Sequence, residues 1–107
     1  MAQDKYGQAY YNLYELQALL RDPATRIVTA KAEQNASSVG IIGKKEIVAR
    51  VLKLRPDEIY KTMPADLKPG LWQDVYKTQE AGIRLYIKLQ KSYNNKGVVI
   101  QLKRDTS

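Results

Sequence analysis

Between residues 83 and 90 apolar and polar side chains alternate without a break. Ile83, Leu85, Ile87 and Leu89 fall on one face of an extended chain and Arg84, Tyr86, Lys88 and Gln90 on the other. The same period of two runs through LWQDVYKT before it and GVVIQLKR after it. QEA and the turn-rich YNNK separate the three segments, so an antiparallel meander is predicted. The pattern is helical further upstream. Leu13, Leu16, Leu19 and Leu20 recur at helical spacing, Asn12 stands where a cap is needed, and Asp22-Pro23 closes the run. Tyr6, Tyr10 and Tyr14, at steps of four, allow that helix an earlier start and read as core, cover or an interaction surface. Arg26–Ala30 is β-branched enough for a short strand, and the polar KAEQNASSVG has no distinct pattern. In IIGKKEIVARVLKL, Ile47, Val48, Val51, Leu52 and Leu54 share a helical side, with Lys44, Lys45, Arg50 and Lys53 on the other. Arg55-Pro56-Asp57-Glu58 reads as a helix start, predicting a third helix over DEIYKTM that Pro64 ends. The expected class is α+β, with N-terminal helices packed on a small, mainly antiparallel sheet.

The sheet faces matter more than the class. The polar face of 83–90 carries Arg84, Tyr86 and Lys88, and placing Val98, Ile100 and Leu102 inward on the last strand adds Gln101 and Lys103 to it. No acid interrupts these positions, which suits a phosphate backbone and a stacked base, although solvated strand faces are also polar. The first strand divides Trp72, Asp74 and Tyr76 from Leu71, Gln73, Val75 and Lys77, and alternation does not orient it. Trp72 reads as a core residue in a chain without Phe, which directs Gln73 toward Tyr86.

Composition narrows the chemistry. A chain of 107 residues suggests one domain, with residues 1–10 open to being flexible. There is no His and no Cys, which removes the side chain that titrates near neutrality, the thiolate nucleophile and the commonest metal ligands. The eleven carboxylates form no DxD or ExxE cluster, so neither a metal nor another cofactor is expected. The first 25 residues contain no apolar signal region, and a soluble cytoplasmic protein with no membrane partner is the expectation. Residues 1–40 sum to zero charge, so the net +7 lies beyond them. From 82 to 107, Arg84, Lys88, Lys91, Lys96, Lys103 and Arg104 face Asp105 alone. A basic surface of this kind serves either solubility or a polyanion, and nucleic acid is the favoured polyanion.

EIYKTM at 58–63, LWQDVYK at 71–77 and RLYIKL at 84–89 together resemble the MqsR family of type II toxins, with WQDVY the most specific block. The resemblance spans about residues 55–103, and KSYNNKG departs from the family in length and polarity. It implies a RelE-like fold over 1–107 and a metal-independent endoribonuclease that cleaves messenger RNA through the substrate's 2′-hydroxyl. It also implies a cognate MqsA-like antitoxin and allows a role at the ribosome. Catalytic positions carried over from the family are Lys61, Gln73 and Tyr86, with Lys103 as a basic residue near the end of the last strand. Arg84, Lys88, Gln101 and Lys103 are the expected RNA-binding residues. Lys ordinarily titrates near 10.4, so Lys61 acts as a base only if its environment depresses that value by about three units, and otherwise stabilises the phosphate. Tyr86 then exchanges protons or stacks, and Gln73 orients the phosphate or reads a base edge. The rival readings are a non-catalytic RNA-binding or ribosome-associated module and a protein-interaction domain such as an antitoxin.

Overall fold

The structure is a computed structural model and describes residues 3–106; the expectation about residues 1–10 lies, for Met1 and Ala2, outside the described residues. Its framework is a six-stranded sheet of β1 (Lys5–Tyr6), β2 (Arg26–Val28), β3 (Ile59–Pro64), β4 (Trp72–Glu80), β5 (Ile83–Lys91) and β6 (Gly97–Arg104). The order is β1-β3-β4-β5-β6-β2, with β2 parallel to β6 and every other pair antiparallel. Helices α1 (Leu13–Arg21), α2 (Ala30–Ser37) and α3 (Gly43–Val51) complete an α+β fold. Their apolar stripes close over one face of the sheet. Leu13, Leu16 and Leu20 of α1, Ala32 and Ala36 of α2, and Ile47, Val48 and Val51 of α3 meet Tyr76, Leu85, Ile87, Leu89, Val99 and Leu102.

The meander is as expected, and its first turn shows why it is tight. Glu80 pairs with Ile83, leaving only Ala81 and Gly82, both at positive φ (50° and 81°). A two-residue loop of this kind matches the twist of the strands it joins. Helix α1 begins as predicted, because the Asn12 side chain accepts from the Glu15 amide at 3.2 Å. It does not extend back to Tyr6, which lies in β1.

Four other expectations are corrected. The polar stretch after β2 is helix α2: Thr29 caps it by accepting from the Ala32 amide, and Ala32 and Ala36 provide a one-turn apolar face that pattern reading overlooks. The predicted third helix is a single 3-10 turn, Pro56–Glu58, after which Ile59–Pro64 extends as β3. Ile, Tyr, Thr and Met all suit an extended chain, and pairing with β4 outweighs the helix-start signal. Arg50 does not face solvent with the other basic residues of α3. Its Nη2 donates to Thr78 Oγ1 at 2.8 Å, its Nε lies 2.7 Å from Glu80 without good hydrogen-bond alignment, and its side chain is only 8% exposed. Finally, a bulge at Ile100 shifts the β5–β6 register. Leu102 and Val99 point into the core, whereas Val98 pairs with Gln90 and turns away from it.

Trp72 is also placed differently. It is half-buried at the end of the core face rather than inside the core, and it stacks on Tyr10 with centroids 5.5 Å apart. The neighbouring Asp74 is wholly buried and accepts from the Tyr10 amide (3.0 and 3.1 Å) and the Tyr11 amide (2.9 Å). This carboxylate fastens the segment before α1 to the sheet. Gly97 fixes the other end of α1. A Cβ there would come within 3.1 Å of both Leu19 and Leu20.

Two stability predictions follow from these contacts. Asp74→Ala removes the acceptor for two partly buried amides and should cost about 2–3 kcal/mol, and Gly97→Ala about 1–3 kcal/mol by overpacking, both measured by urea denaturation. Burial raises the Tyr76 phenol well above its ordinary 10.0. The folded state therefore holds this proton when the unfolded state releases it, so the protein should lose stability as pH rises above about 10. Tyr76→Phe should flatten that loss.

Candidate functional site

The face of the sheet opposite the helices is the open one, and strand register arranges it in rows. One row reads Tyr6, Lys61, Val75, Lys88 and Gln101 from β1 to β6. The next places Lys77 beside Tyr86 and Tyr86 beside Lys103. A bulge between Ile59 and Lys61 leaves Tyr60 extra in β3, and its ring lies 3.9 Å from Lys77 Nζ. Tyr60, Lys61, Lys77, Tyr86, Lys103, Asp105 and Thr106 line a depression of about 210 Å³. Val75, fully buried, sits between Lys61 and Lys88 in the row beside it.

Lys61 and Tyr86 are brought together here. Lys103 Nζ lies 5.0 Å and Lys88 Nζ 5.8 Å from the centroid of the Tyr86 ring, so the phenol sits among three ammonium groups. Burial nevertheless raises the Tyr86 pKa, against the opposing pull of Lys61, and the hydroxyl stays protonated at neutral pH. Lys61 donates to Asp4 at 2.7 Å, and that hydrogen bond raises its pKa above the usual 10.5. The depressed lysine is Lys88. Burial lowers its pKa first, followed by Lys103, Lys61 and Lys31, with Asp66 opposing.

The remaining expected residues are more dispersed. Gln73 is on the same face but donates to Gln90 at 2.8 Å, four residues along the strands from the Tyr86 row, about 13 Å away. Gln101 is buried, and its Oε1 accepts from Asn35 of α2 at 3.0 Å and from the Leu102 amide, which ties the helix to the sheet edge. Arg84 is exposed in an adjoining hollow of about 460 Å³ that shares Lys77 and Asp105 with the first. Among the described residues, no three of Asp, Glu, His and Cys gather as a metal site, and no helix is long and apolar enough to cross a membrane.

Sequence reading missed Asp4, Tyr6, Tyr60 and Lys77. Pairing of β1 with β3 brings in Asp4 and Tyr6 from a segment 57 residues away from Lys61, a contact no local pattern encodes. Lys77 was visible as a neighbour of Gln73 in period two, and Tyr60 was hidden by the helical reading of 57–63.

An open sheet face with a cation-flanked tyrosine, backed by three helices, is the frame of the candidate site in this α+β protein. A model of the family described as "Motility quorum-sensing regulator, toxin of MqsA" matches residues 8–104, nearly the whole chain, and the protein belongs to this MqsR toxin family. It is thereby the toxin of a toxin–antitoxin pair. Among curated proteins, none matches the chain.

The electrostatic assignments can be checked by following lysine 13Cε shifts with pH. Lys61 should titrate above 10.5 and Lys88 below it. Asp4→Asn should lower the Lys61 value and Lys103→Gln should raise that of Lys88. Unchanged values in both variants would show that these contacts do not set the charges.

Proposed function

We propose that the protein is an endoribonuclease that cleaves messenger RNA without a metal, by attack of the substrate's own 2′-hydroxyl on the scissile phosphate. The observation that carries this reading is the Lys61–Tyr86–Lys88–Lys103 cluster, in which one lysine is held charged, one has a depressed pKa and a phenol is held neutral. Each of these states meets one requirement of the reaction. Lys61 and Lys103 neutralise the charge that builds on the phosphorane. Lys88, whose ammonium form is disfavoured by burial and by the neighbouring Lys103 and Lys61, accepts that of the 2′-hydroxyl. Tyr86 gives its proton to the departing 5′-oxygen. The bond formed is O2′–P and the bond broken is P–O5′, leaving a 2′,3′-cyclic phosphate and a 5′-hydroxyl. The protein regains its resting state when Tyr86 is reprotonated and Lys88 releases the proton it accepted. Gln73 and Arg84, farther along the same face, hold flanking nucleotides. The Gln101 amide sets the edge formed by α2. The remaining elements of this reading are an MqsA-like antitoxin as the separate partner that silences the toxin, and action in the cytoplasm on free or ribosome-bound messenger RNA.

The test is incubation of the purified protein with a defined messenger RNA in EDTA, followed by analysis of the product ends. Cleavage to cyclic phosphate and 5′-hydroxyl ends is expected, and intact RNA at high protein excess would reject the nuclease in favour of an RNA-binding module. Lys61→Ala and Tyr86→Ala should each lower cleavage at least about 100-fold, as expected for groups acting at the reacting atoms, with nearly unchanged melting temperatures. The rate should rise with pH as Lys88 loses its proton and decline only where Tyr86 ionises, above 10. In Lys88→Arg that rise should vanish along with most of the activity, whereas a purely electrostatic Lys88 would tolerate arginine.

A further inference from the structure

The N-terminal segment adds an aromatic corner to this face. Tyr6 stands in the same row as Lys61, on the outermost strand, and is 60% exposed. Its ring meets Tyr60 edge to face at 5.3 Å, and Lys61 Nζ lies 5.5 Å from one centroid and 5.9 Å from the other. Lys77 covers Tyr60 from the opposite row. Crossing the sheet from β5 to β1, the open face thus presents Tyr86, then Lys61 and Tyr60, then Tyr6, over three strand spacings or about 14 Å.

Tyr6 is fixed in place although it is exposed. A two-residue edge strand has little pairing of its own, yet it is held by the Gly7 amide on the Tyr60 carbonyl at 2.8 Å, by Lys5 over Trp72, and by the Asp74 carboxylate a few residues on. The tyrosine so displayed gains little burial. An exposed phenol beside a second aromatic and two ammonium groups has the composition of a single-stranded nucleic-acid platform, in which rings receive bases and cations receive the phosphates between them. Asp4, 2.7 Å from Lys61 Nζ, marks where an anionic oxygen can sit in that sequence. A protein partner suits the corner less well, because interleaved lysines at the centre of a protein interface would have to be desolvated.

We propose that Tyr6 is a base-stacking subsite for single-stranded RNA, receiving the base next to a phosphate held at Lys61 while Tyr86 serves the opposite side of that phosphate. The inference rests on the ribonuclease reading and extends the substrate contact onto the N-terminal segment. It also gives Asp4 a place, as the carboxylate that the incoming phosphate displaces.

The experiment uses the full chain and an oligonucleotide bearing the cleavage sequence mapped with the wild type, with a 2′-O-methyl group on the attacking ribose to block cleavage. Binding is measured for Tyr6→Ala, Tyr6→Leu and Tyr6→Trp, against the intact oligonucleotide and a series carrying one abasic position each. Tyr6→Ala and Tyr6→Leu should weaken binding about tenfold, the loss of one base stack, and Tyr6→Trp should stay within about twofold. The penalty should vanish at one abasic position and persist at the others. Leucine preserves the bulk of an edge-strand side chain, so a merely structural role would make Tyr6→Leu behave like the wild type and overturn the proposal. A penalty indifferent to every abasic position would also overturn it. So would unchanged RNA binding with weakened binding of the cognate antitoxin, which would reassign the corner to a protein partner. Wild-type cleavage and binding with no effect at Tyr6 would reject this subsite alone; a wild type that neither cleaves nor binds RNA would reject the ribonuclease reading with it.

Discussion

Asp74 is the residue on which the site's geometry depends. Its side chain has no exposure to water, so its charge must be compensated locally, and the amides of Tyr10 and Tyr11 do this. Those hydrogen bonds determine where the chain before α1 runs. The strap is laid across the end of the core face, Tyr10 is brought against Trp72, and Lys5–Tyr6 is delivered to the edge of β3. Tyr11 reinforces the arrangement, its hydroxyl accepting from the Trp72 amide at 3.2 Å. A block that resembles a family signature is therefore, at four of its five positions, architectural: Trp72 stacks, Asp74 clamps, Val75 is fully buried and Tyr76 fills the core.

The consequence is electrostatic as well as mechanical. By placing Asp4 on Lys61, the strap gives one cation of the cluster a fixed counter-charge. Lys77 has Asp105 at 3.4 Å. Among the described residues, neither Lys88 nor Lys103 is seen in an ion pair, and Lys88 is the more enclosed of the two. One crowded face therefore holds lysines of different character, set by which acids the fold brings near. Burial and like charge disfavour the ammonium form, whereas a carboxylate within hydrogen-bond reach favours it. Lys61 therefore does not meet the condition for acting as a base, and the lysine that neighbouring cations disfavour as an ammonium is Lys88, two strands away.

The meander, its inward and outward faces on β5, and helix α1 were legible because each rests on a strict period and local turn chemistry. What was not legible depended on distant pairing. Ile59–Pro64 has no alternation that favours a strand over a helix after Pro56-Asp57-Glu58, and only β4 decides it. The face of Val98 depends on a single extra residue at Ile100, which reverses every side chain before it. Helix α2 buries only two residues, both small, which is too little apolar signal for a pattern to detect. Of the site, Lys61 and Tyr86 were named from the resemblance and prove to be neighbours. Gln73 shares their face at the far end, and Asp4 and Tyr6 required knowledge of β1.

The division of labour between the two sheet faces explains why so short a chain can display so many charges. The core cluster lies between the helices and one sheet face and takes nothing from the open face, where Val75 and Val98 are buried apart from it. Cations on that face are desolvated only as far as their immediate neighbours cover them, which lets Lys88 be perturbed without being entombed. The edge is where this arrangement is most exposed to change. β1 contributes two pairs to the sheet, so its docking depends on contacts made by the loop that follows it, above all at Asp74. Solvent conditions that weaken the strap would withdraw Asp4 and Tyr6 together, removing a counter-charge and an aromatic surface from Lys61 in one step. The position of the strap and the surroundings of Lys61 thus both depend on a carboxylate on the opposite face of the sheet.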